Sequence, residues 1–325
     1  MRVTLKYWAR SLRLMLRILP GVGILFLGSC KDFIEPSIED KKVFINAPAD
    51  STQTSTYLQT FWWEEIEDAL SYRVQIVTPG FANASRLIMD TLVTGNKFIY
   101  TLDPGVYEWR IRGENGSSST LYATQMLTVF ESNISSQVVQ VKAPANGLLT
   151  NMSETEFAWN NLYGAKVYRL QVDTNSFRDE KVLYFDQTTT ALDLKVHFSK
   201  DQTYQWRVRA EQDSAVSKWS TVSVVRYDTT PPSVVTLVGP AKGASAASPV
   251  SLQWKAMADA SSYQLYVYRS DTTTSYHPSF PMTLKVANYT FKEGTFGEVV
   301  YWKVRAADLA GNWGSFSELR SFTIQ

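Results

Sequence analysis

The sequence predicts an all-β protein of three similar β-sandwich modules in tandem, preceded by an export signal. Short segments alternate apolar and polar residues with a period of two, and one set of landmarks recurs three times along the 325 residues. Alternation with a period of two sends one side-chain parity to a core and the other to solvent, as in half-buried antiparallel sheet. No long stretch of the sequence has the 3.6-residue period of an amphipathic helix.

Residues 1–29 have the pattern of a signal peptide. Five basic residues and no acidic residue precede an apolar run from Ile18 to Leu27, as in the n-region and h-region of a secreted protein. About ten apolar residues is half of what a helix needs to cross the ~30 Å hydrocarbon core. The pattern therefore predicts cleavage of this segment and not a permanent membrane span.

Leu27-Gly28-Ser29-Cys30 follows directly and resembles the lipobox of bacterial lipoproteins. The resemblance implies that Cys30, the single cysteine of the chain, becomes the lipidated first residue of the mature protein. About three acyl chains would exceed the two signals that stable anchoring requires. The alternative is a free cysteine after an ordinary signal peptide. A catalytic thiol fits less well, because Cys30 precedes every folded segment and has no histidine near it in sequence.

The residues after Cys30 are polar and acidic, and we interpret them as a flexible tether. The start Cys30-Lys31-Asp32 resembles surface lipoproteins of the Bacteroidetes, which implies a lipid-anchored protein of the cell envelope, at the outer membrane and exposed on the surface. In enteric bacteria, by contrast, an aspartate two positions after the cysteine would imply retention at the inner membrane.

The repeat begins at a proline near the start of each module. Pro48, Pro144 and Pro240 are spaced by 96 residues. Each module then has an early tryptophan, a tyrosine nine residues later that opens an alternating run, and a late run with a second tryptophan. These landmarks are Trp63, Tyr72 and Trp109 in module 1; Trp159, Tyr168 and Trp206 in module 2; and Trp254, Tyr263 and Trp302 in module 3. Four landmarks in one order, three times over, predict tandem domains.

The chain accordingly divides into five segments. They are the signal peptide at 1–29, the lipidated cysteine and tether at 30–42, and three domains at 43–131, 137–229 and 230–325. Turn clusters such as Asp103-Pro104-Gly105 separate about seven strand-like runs in each domain, which fits a two-sheet sandwich of roughly 100 residues. Pro231 and Pro232, between modules 2 and 3, favour an extended and rather stiff joint.

The early tryptophan, the tyrosine nine residues later and the late Tyr-x-Trp run resemble fibronectin type III domains, which belong to the immunoglobulin-like sandwiches. The resemblance implies that the tryptophans lie in the core and that Tyr107 and Tyr204 are corner residues. Module 3 departs from the pattern, with Val300 at the corner position. Together with the lipobox, the resemblance is to a Bacteroidetes-type surface lipoprotein with three tandem fibronectin type III-like domains.

One surface of module 3 stands out as a candidate ligand site. The outward positions of the two central strands are Arg, Gln and Glu in modules 1 and 2, as on a solvated sheet. In module 3 they include Tyr266, Tyr268 and Tyr301, flanked by Lys303 and Arg305. Aromatic rings stack on sugar faces or on partner side chains. The alternative is that these tyrosines pack across strands or against a neighbouring domain.

The remaining chemistry is sparse. His197 and His277 lie 80 positions apart without metal-ligand spacing, and no phosphate-binding loop or nucleophile elbow is present. The sequence therefore predicts no catalytic residue, no metal and no cofactor. With 32 Lys+Arg against 31 Asp+Glu, the chain has no bulk charge with which to attract nucleic acid.

These observations lead to two functional hypotheses. The first is a non-enzymatic, lipid-anchored envelope protein that acts as a spacer and protein-interaction arm, held to the membrane through its N-terminal lipid. The second is a surface glycan-binding lipoprotein of a polysaccharide-utilisation system that uses the aromatic face of module 3. An enzyme is disfavoured, because three modules leave no spare length for a catalytic domain.

Overall fold

The computed structural model describes residues 35–325, so the signal peptide and Cys30 lie outside the described residues. The described chain forms three β-sandwiches in tandem, and two single-turn 3-10 segments, Phe81–Asn83 and Ile134–Ser136, are its helical elements. Between residues 35 and 325, no helix has the length and apolar character needed to cross a bilayer. The predicted all-β fold of tandem β-sandwiches is confirmed.

Module 1 contains strands β1 to β8. Their bounds are β1 (Ile45–Ala47), β2 (Thr52–Thr54), β3 (Leu58–Trp63), β4 (Ser71–Thr78), β5 (Arg86–Val93), β6 (Lys97–Thr101), β7 (Gly105–Glu114) and β8 (Ala123–Val129). The smaller sheet has the order β1-β3-β6 and the larger one β2-β8-β7-β4-β5. After β1 the chain passes Pro48 and changes sheet, so that β2 runs parallel to β8.

Module 2 repeats this order with one additional short strand. Its elements are β9 (Val141–Ala143), β10 (Leu148–Thr150), β11 (Glu154–Trp159), β12 (Val167–Asp173), β13 (Phe185–Thr189), β14 (Asp193–His197), β15 (Gln202–Gln212), β16 (Ala215–Val216) and β17 (Ser223–Tyr227). The sheets are β9-β11-β14 and β10-β17-β15-β12-β13, and β16 pairs with β15.

Module 3 has the same two-sheet arrangement. It contains β18 (Leu237–Gly239), β19 (Ala244–Ala246), β20 (Val250–Trp254), β21 (Ser262–Tyr268), β22 (Met282–Leu284), β23 (Asn288–Phe291), β24 (Val299–Ala307) and β25 (Arg320–Ile324). Its sheets are β18-β20-β23 and β19-β25-β24-β21-β22. The threefold repeat in sequence is therefore a threefold repeat of strand order.

One tryptophan from each sheet fills the centre of every module. Trp109 and Trp206 are fully buried, and each lies edge-on to a phenylalanine ring of the opposite sheet. The six core tryptophans are all at most 3% exposed, and their indole N–H groups have no hydrogen-bond partner among the described residues. Aromatic packing therefore holds these side chains, and each burial contributes a few kcal/mol.

The late tyrosines occupy corner positions in modules 1 and 2. The Tyr107 hydroxyl donates to the Asp103 carbonyl at 2.8 Å, and the Tyr204 hydroxyl donates to the Lys200 carbonyl at 3.0 Å. In module 3 the buried Val300 fills this position without a hydroxyl group. The corner is thus an apolar contact in module 3 and a hydrogen-bonded one in modules 1 and 2.

The end of the predicted tether is docked on module 1. Ile38 is fully buried, and its N–H donates to the Ser118 hydroxyl at 2.9 Å. The Glu35 carboxylate accepts from the Gly116 N–H, and Lys41 donates to the Glu67 carbonyl at 2.6 Å. The prediction of a flexible segment up to residue 42 is therefore wrong for residues 35–42, because burial of Ile38 and these hydrogen bonds attach the segment to the sandwich.

Modules 1 and 2 share a continuous apolar core across their joint. The buried amide of Gln137 closes this joint: its Oε1 accepts from the Tyr57 N–H at 2.8 Å, and its Nε2 donates to the Ser55 carbonyl at 2.7 Å. The Gln140 amide makes a second tie, donating to the Ile99 carbonyl at 2.8 Å and accepting from Thr101. Buried polar groups satisfied in this way fix the geometry of the surrounding packing.

The joint between modules 2 and 3 is held by hydrogen bonds, since the core of module 3 is a separate cluster. Asn312 donates to the Asp228 carbonyl at 2.8 Å and accepts from the Asn151 amide at 3.1 Å. A Cβ on Gly314 would lie 2.6 Å from the Pro232 carbonyl oxygen. Glycine is required there because the backbones of module 3 and the joint approach so closely.

Candidate functional site

The candidate residues of module 3 lie together on the outer surface of its larger sheet. Strands β21 and β24 are antiparallel neighbours, with Tyr266 opposite Lys303 and Tyr268 opposite Tyr301. Arg305 is two positions further along β24 and donates from Nε to Gln264 at 2.8 Å. Because the residues alternate along paired strands, all five predicted side chains emerge on one side of the sheet.

The aromatic rings on this surface contact one another and a lysine. The rings of Tyr266 and Tyr268 are stacked, with centroids 6.0 Å apart. The Lys303 ammonium lies 5.5 Å and 5.6 Å from the two ring centroids and 4.1 Å from that of Phe316. These distances are within cation–π range. Burial raises the pKa of Tyr268, and the neighbouring Tyr266 raises it further.

The loop after β24 extends the surface with two more rings. Arg305 lies between Trp313 and Phe316, its guanidinium carbon being 4.6 Å and 4.8 Å from the two centroids. The loop is fixed against the strand because the Ser317 N–H donates to the Val304 carbonyl and the Ser317 hydroxyl accepts from the Val304 N–H. We call the ordered row of Trp313, Arg305, Phe316, Lys303 and Tyr266 the module 3 ladder.

Equivalent ladders exist in modules 1 and 2, which the strand positions alone did not predict. Arg110 lies 4.1 Å from the centroid of Phe81 and 4.2 Å from that of Tyr122. In module 2 the equivalent Arg207 lies 4.1 Å from Phe177 and 4.3 Å from Trp219. These rings come from loops, so periodicity along the strands does not reveal them. Outward aromatic rings are therefore a feature of all three modules.

Module 3 differs from the others because it has no glutamate that pairs with the outward arginine of its central strand. In modules 1 and 2, Glu114 and Glu211 accept hydrogen bonds from two arginines each, at 2.8–2.9 Å. Burial alone would raise the pKa of each carboxyl group, but these hydrogen bonds outweigh it and lower both pKa values. Ala307 occupies the equivalent position in module 3. Gln264 and Ala307 thus stand where modules 1 and 2 have this arginine–glutamate pair, and tyrosines occupy neighbouring outward positions of the module 3 surface.

The described residues hold no ready-made metal centre. Between residues 35 and 325, no group of three or more histidine, aspartate or glutamate side chains is arranged to bind a metal ion. His197 ends β14, and the ring of His277 hydrogen-bonds within its own loop to Ser279.

Two solved structures illustrate what the fold is similar to. No protein-family model and no curated protein sequence matches the chain. The FN1–FN3 domains of chicken CNTN1 are 15% identical, with 87% of this chain and 97% of that chain covered and a TM-score of 0.40. The fibronectin(III)-like modules of Clostridium thermocellum CbhA are 14% identical, with 57% and 94% covered and a TM-score of 0.36.

The comparisons indicate no enzyme family. The fibronectin type III-like character of the fold rests on the strand order that the three modules share.

Proposed function

We propose that the chain is a non-enzymatic, lipid-anchored envelope protein whose three modules form a spacer and protein-interaction arm. The observation that carries the proposal is the construction of the joints. A tandem array keeps its far end away from its anchor only if the joints resist bending, and interdomain motion is the default without a substantial interface. Both joints here are built from specific buried or half-buried contacts.

The first joint supports this role most strongly. Gln137 is 2% exposed, and the hydrogen bonds of its side-chain amide all tie the start of module 2 to module 1 or to the linker. The ring of Tyr163 in module 2 meets the ring of Tyr57 in module 1 edge-on at 6.1 Å. Bending this joint would separate these two rings and leave buried amide groups without hydrogen-bond partners. Each unpaired group would cost a free energy of about 1–3 kcal/mol.

The docked segment 35–42 sets the orientation of module 1 in this proposal. It contacts the loops around Glu67 and Gly116, whereas Asp103 lines the cleft at the joint with module 2. The ten residues of β7 separate these two ends, a distance of about 33 Å. An anchor at Cys30 would therefore face the end of module 1 that lies opposite module 2, and the array would point away from the outer membrane.

Replacing both Gln137 and Gln140 by Ala is expected to loosen the first joint while leaving the modules folded. The Tyr57 N–H would lose its acceptor on Gln137. Thr101 of module 1 and Asn160 of module 2 would lose the Gln140 amide oxygen to which both donate. Electron–electron double resonance between nitroxides at Thr60→Cys and Asp193→Cys, in a Cys30→Ser background, should show a broadened distance distribution.

Gln187→Ala is the matched control, because Gln187 is an exposed glutamine in β13 of module 2. It should leave the distance distribution unchanged. A distribution that is already broad in the parent protein, or equally narrow in the double variant, would contradict the spacer role of the joint.

A second candidate function is glycan binding at the outer surface of module 3. The observation that favours it is the cross-strand pair of Tyr268 and Tyr301 at the end of the ladder. Lys303 and Arg305 add hydrogen-bond donors beside these rings. Sugar rings present apolar C–H faces that suit aromatic side chains and hydroxyls that suit cationic donors.

Replacing Tyr268 and Tyr301 together by Ala is expected to weaken any polysaccharide binding at this surface by at least about tenfold, equivalent to ~1.4 kcal/mol. Affinity electrophoresis in gels containing starch, xylan or mannan measures the change. Tyr122→Ala removes a ladder ring in module 1 and should not alter the retardation. Equal retardation of the parent and the Tyr268, Tyr301 variant would assign these rings to packing.

A further inference from the structure

A second surface, independent of the module 3 ladder, has the chemistry of a ligand site. A cleft of about 370 Å³ opens at the joint between modules 1 and 2, within the ~300–1,000 Å³ typical of small-molecule sites. Module 1 contributes Arg86 from β5, Tyr100 from β6 and Asp103 from the following turn. Module 2 contributes Asn160 and Asn161 from the loop after β11. Neither module has the complete set of side chains.

The walls of the cleft are fixed by contacts behind them. On the module 1 side, the buried Tyr107 holds the turn by donating to the Asp103 carbonyl, and the ring of Tyr100 is stacked on Phe98 with centroids 6.0 Å apart. On the module 2 side, Asn160 donates to Gln140 at 2.8 Å. Gln140 also accepts from Thr101, so one amide connects both walls. A cleft preorganised in this way binds without a large ordering cost.

The side chains that line the cleft keep unused hydrogen-bonding capacity. Within residues 35–325, neither the guanidinium of Arg86 nor the carboxylate of Asp103 forms an ion pair. The Asn161 Oδ1 accepts from the Tyr168 hydroxyl, which orients this amide and leaves its two N–H donors for the cleft. The Asn160 Nδ2 is used by Gln140, so its carbonyl oxygen remains as an acceptor. Donors and acceptors therefore face the same space.

The cleft also has an apolar component. Leu87 is 58% exposed at its rim, and the half-buried ring of Tyr100 forms part of the wall. A ligand that suits this lining needs an apolar face and several hydroxyls, each of which can both donate and accept a hydrogen bond. One positive and one negative side chain in a small volume favour a ligand without net charge.

We propose that this cleft binds a neutral saccharide, with Tyr100 against one face of a pyranose ring and Arg86, Asp103, Asn160 and Asn161 on its hydroxyls. The saccharide bridges modules 1 and 2 and stabilises the joint that Gln137 and Gln140 close. The site depends neither on the lipid anchor nor on the module 3 ladder.

The test uses saturation-transfer NMR and calorimetric titration on the full chain with maltotriose, cellotriose, xylotriose and chitobiose as probes. At least one probe should bind, and the double variant Arg86→Ala, Asp103→Ala should weaken that binding by at least about tenfold. Both side chains are exposed, so the variant is expected to keep its thermal unfolding midpoint, as surface substitutions generally change stability by less than about 0.5 kcal/mol.

Two control variants locate the site. Arg226 and Asp259 line the cleft at the other joint, and replacing both by Ala should leave saccharide affinity unchanged. Trp62→Ala, which removes an exposed ring on the outer side of β3, should also bind normally, which separates this cleft from other exposed aromatic residues of module 1. The proposal is overturned if no probe binds, if the Arg86, Asp103 variant binds as well as the parent, if either control loses binding, or if free glutamate binds and the sugars do not.

Discussion

Replacing Cys30 by Ala is expected to move the protein from the membrane fraction to the soluble fraction. Cys30 is the only residue of the lipobox-like sequence that could carry the lipid, and the segment before it is too short to span a bilayer. A chain with multiple acyl groups stays bound to membranes, whereas one without them has no comparable anchor. The change is therefore expected to be close to complete after a carbonate wash.

Ser29→Ala is the matched control, because it keeps a small residue immediately before Cys30 and should leave the protein in the membrane fraction. Intact-mass analysis of the mature N-terminus should show acyl groups in the parent and in this control. A Cys30→Ala protein that stays with the membranes would refute the anchor, and a soluble, unmodified parent would show that Cys30 is a free cysteine after an ordinary signal peptide.

The docking of residues 35–42 makes the anchoring prediction more specific. Five residue steps separate Cys30 from Glu35, and such a segment spans at most about 18 Å in any conformation. Ile38 and Lys41 hold the following residues on module 1. A lipid at Cys30 would therefore keep module 1 close to the bilayer surface, and the height of the arm would come from the modules and their joints.

The features that the sequence did predict follow from periodicity. An alternating strand assigns each side chain to the core or to the outside, and the repeat identifies which strands are equivalent in the three modules. The prediction of a common surface for Tyr266, Tyr268 and Tyr301 needed two premises. One is that side chains alternate between the two sides of a strand, and the other is that the two central strands are neighbours. Their pairing in β21 and β24 agrees with that reasoning.

The features that escaped prediction depend on contacts between distant segments. Phe177 and Trp219 lie in loops, where spacing does not determine direction, although both stack on Arg207. A signal was nevertheless present: an aromatic residue follows the late strand of each module two positions after Thr120, Ser217 and Gly314. The alternation of residues within one strand gives no information about a loop residue whose side chain packs on that strand.

The joints escaped prediction for a related reason. Gln137 and Gln140 are ordinary polar residues in a linker, and such residues are usually exposed. They become structural because two sandwiches meet around them, so that Gln137 is 2% exposed and fully engaged in hydrogen bonds. Ile38 is similar: it stands between the polar residues Ser37 and Glu39, and it is buried where the segment 35–42 packs on module 1.

Replacing Trp206 by Ala is expected to destabilise module 2 by about 3–5 kcal/mol, the usual cost of deleting a buried large aromatic side chain. Trp206 is fully buried and lies edge-on to Phe157 with centroids 5.0 Å apart. Trp206→Phe should cost less, because it keeps a ring and removes an indole N–H that has no partner among the described residues. Urea unfolding of the full chain measures both changes.

Hydrogen exchange read by mass spectrometry shows where the loss of stability spreads. Peptides of module 2 should lose protection in Trp206→Ala, and those of module 1 should lose part of theirs, because the two modules share one apolar core. Module 3 should keep its protection, since its core is a separate cluster. Equal losses in all three modules would contradict this division of the array.

Two other tryptophans serve as controls of matched size. Trp62 is 46% exposed on the outer side of β3, and Trp62→Ala should change stability by less than about 0.5 kcal/mol. Trp219 stacks on Arg207 and Arg209, and its loss should cost about 0.5–2 kcal/mol, the range for cation–π contacts. The expected order, with Trp206 costing most and Trp62 least, separates core, ladder and surface roles that residue type alone does not distinguish.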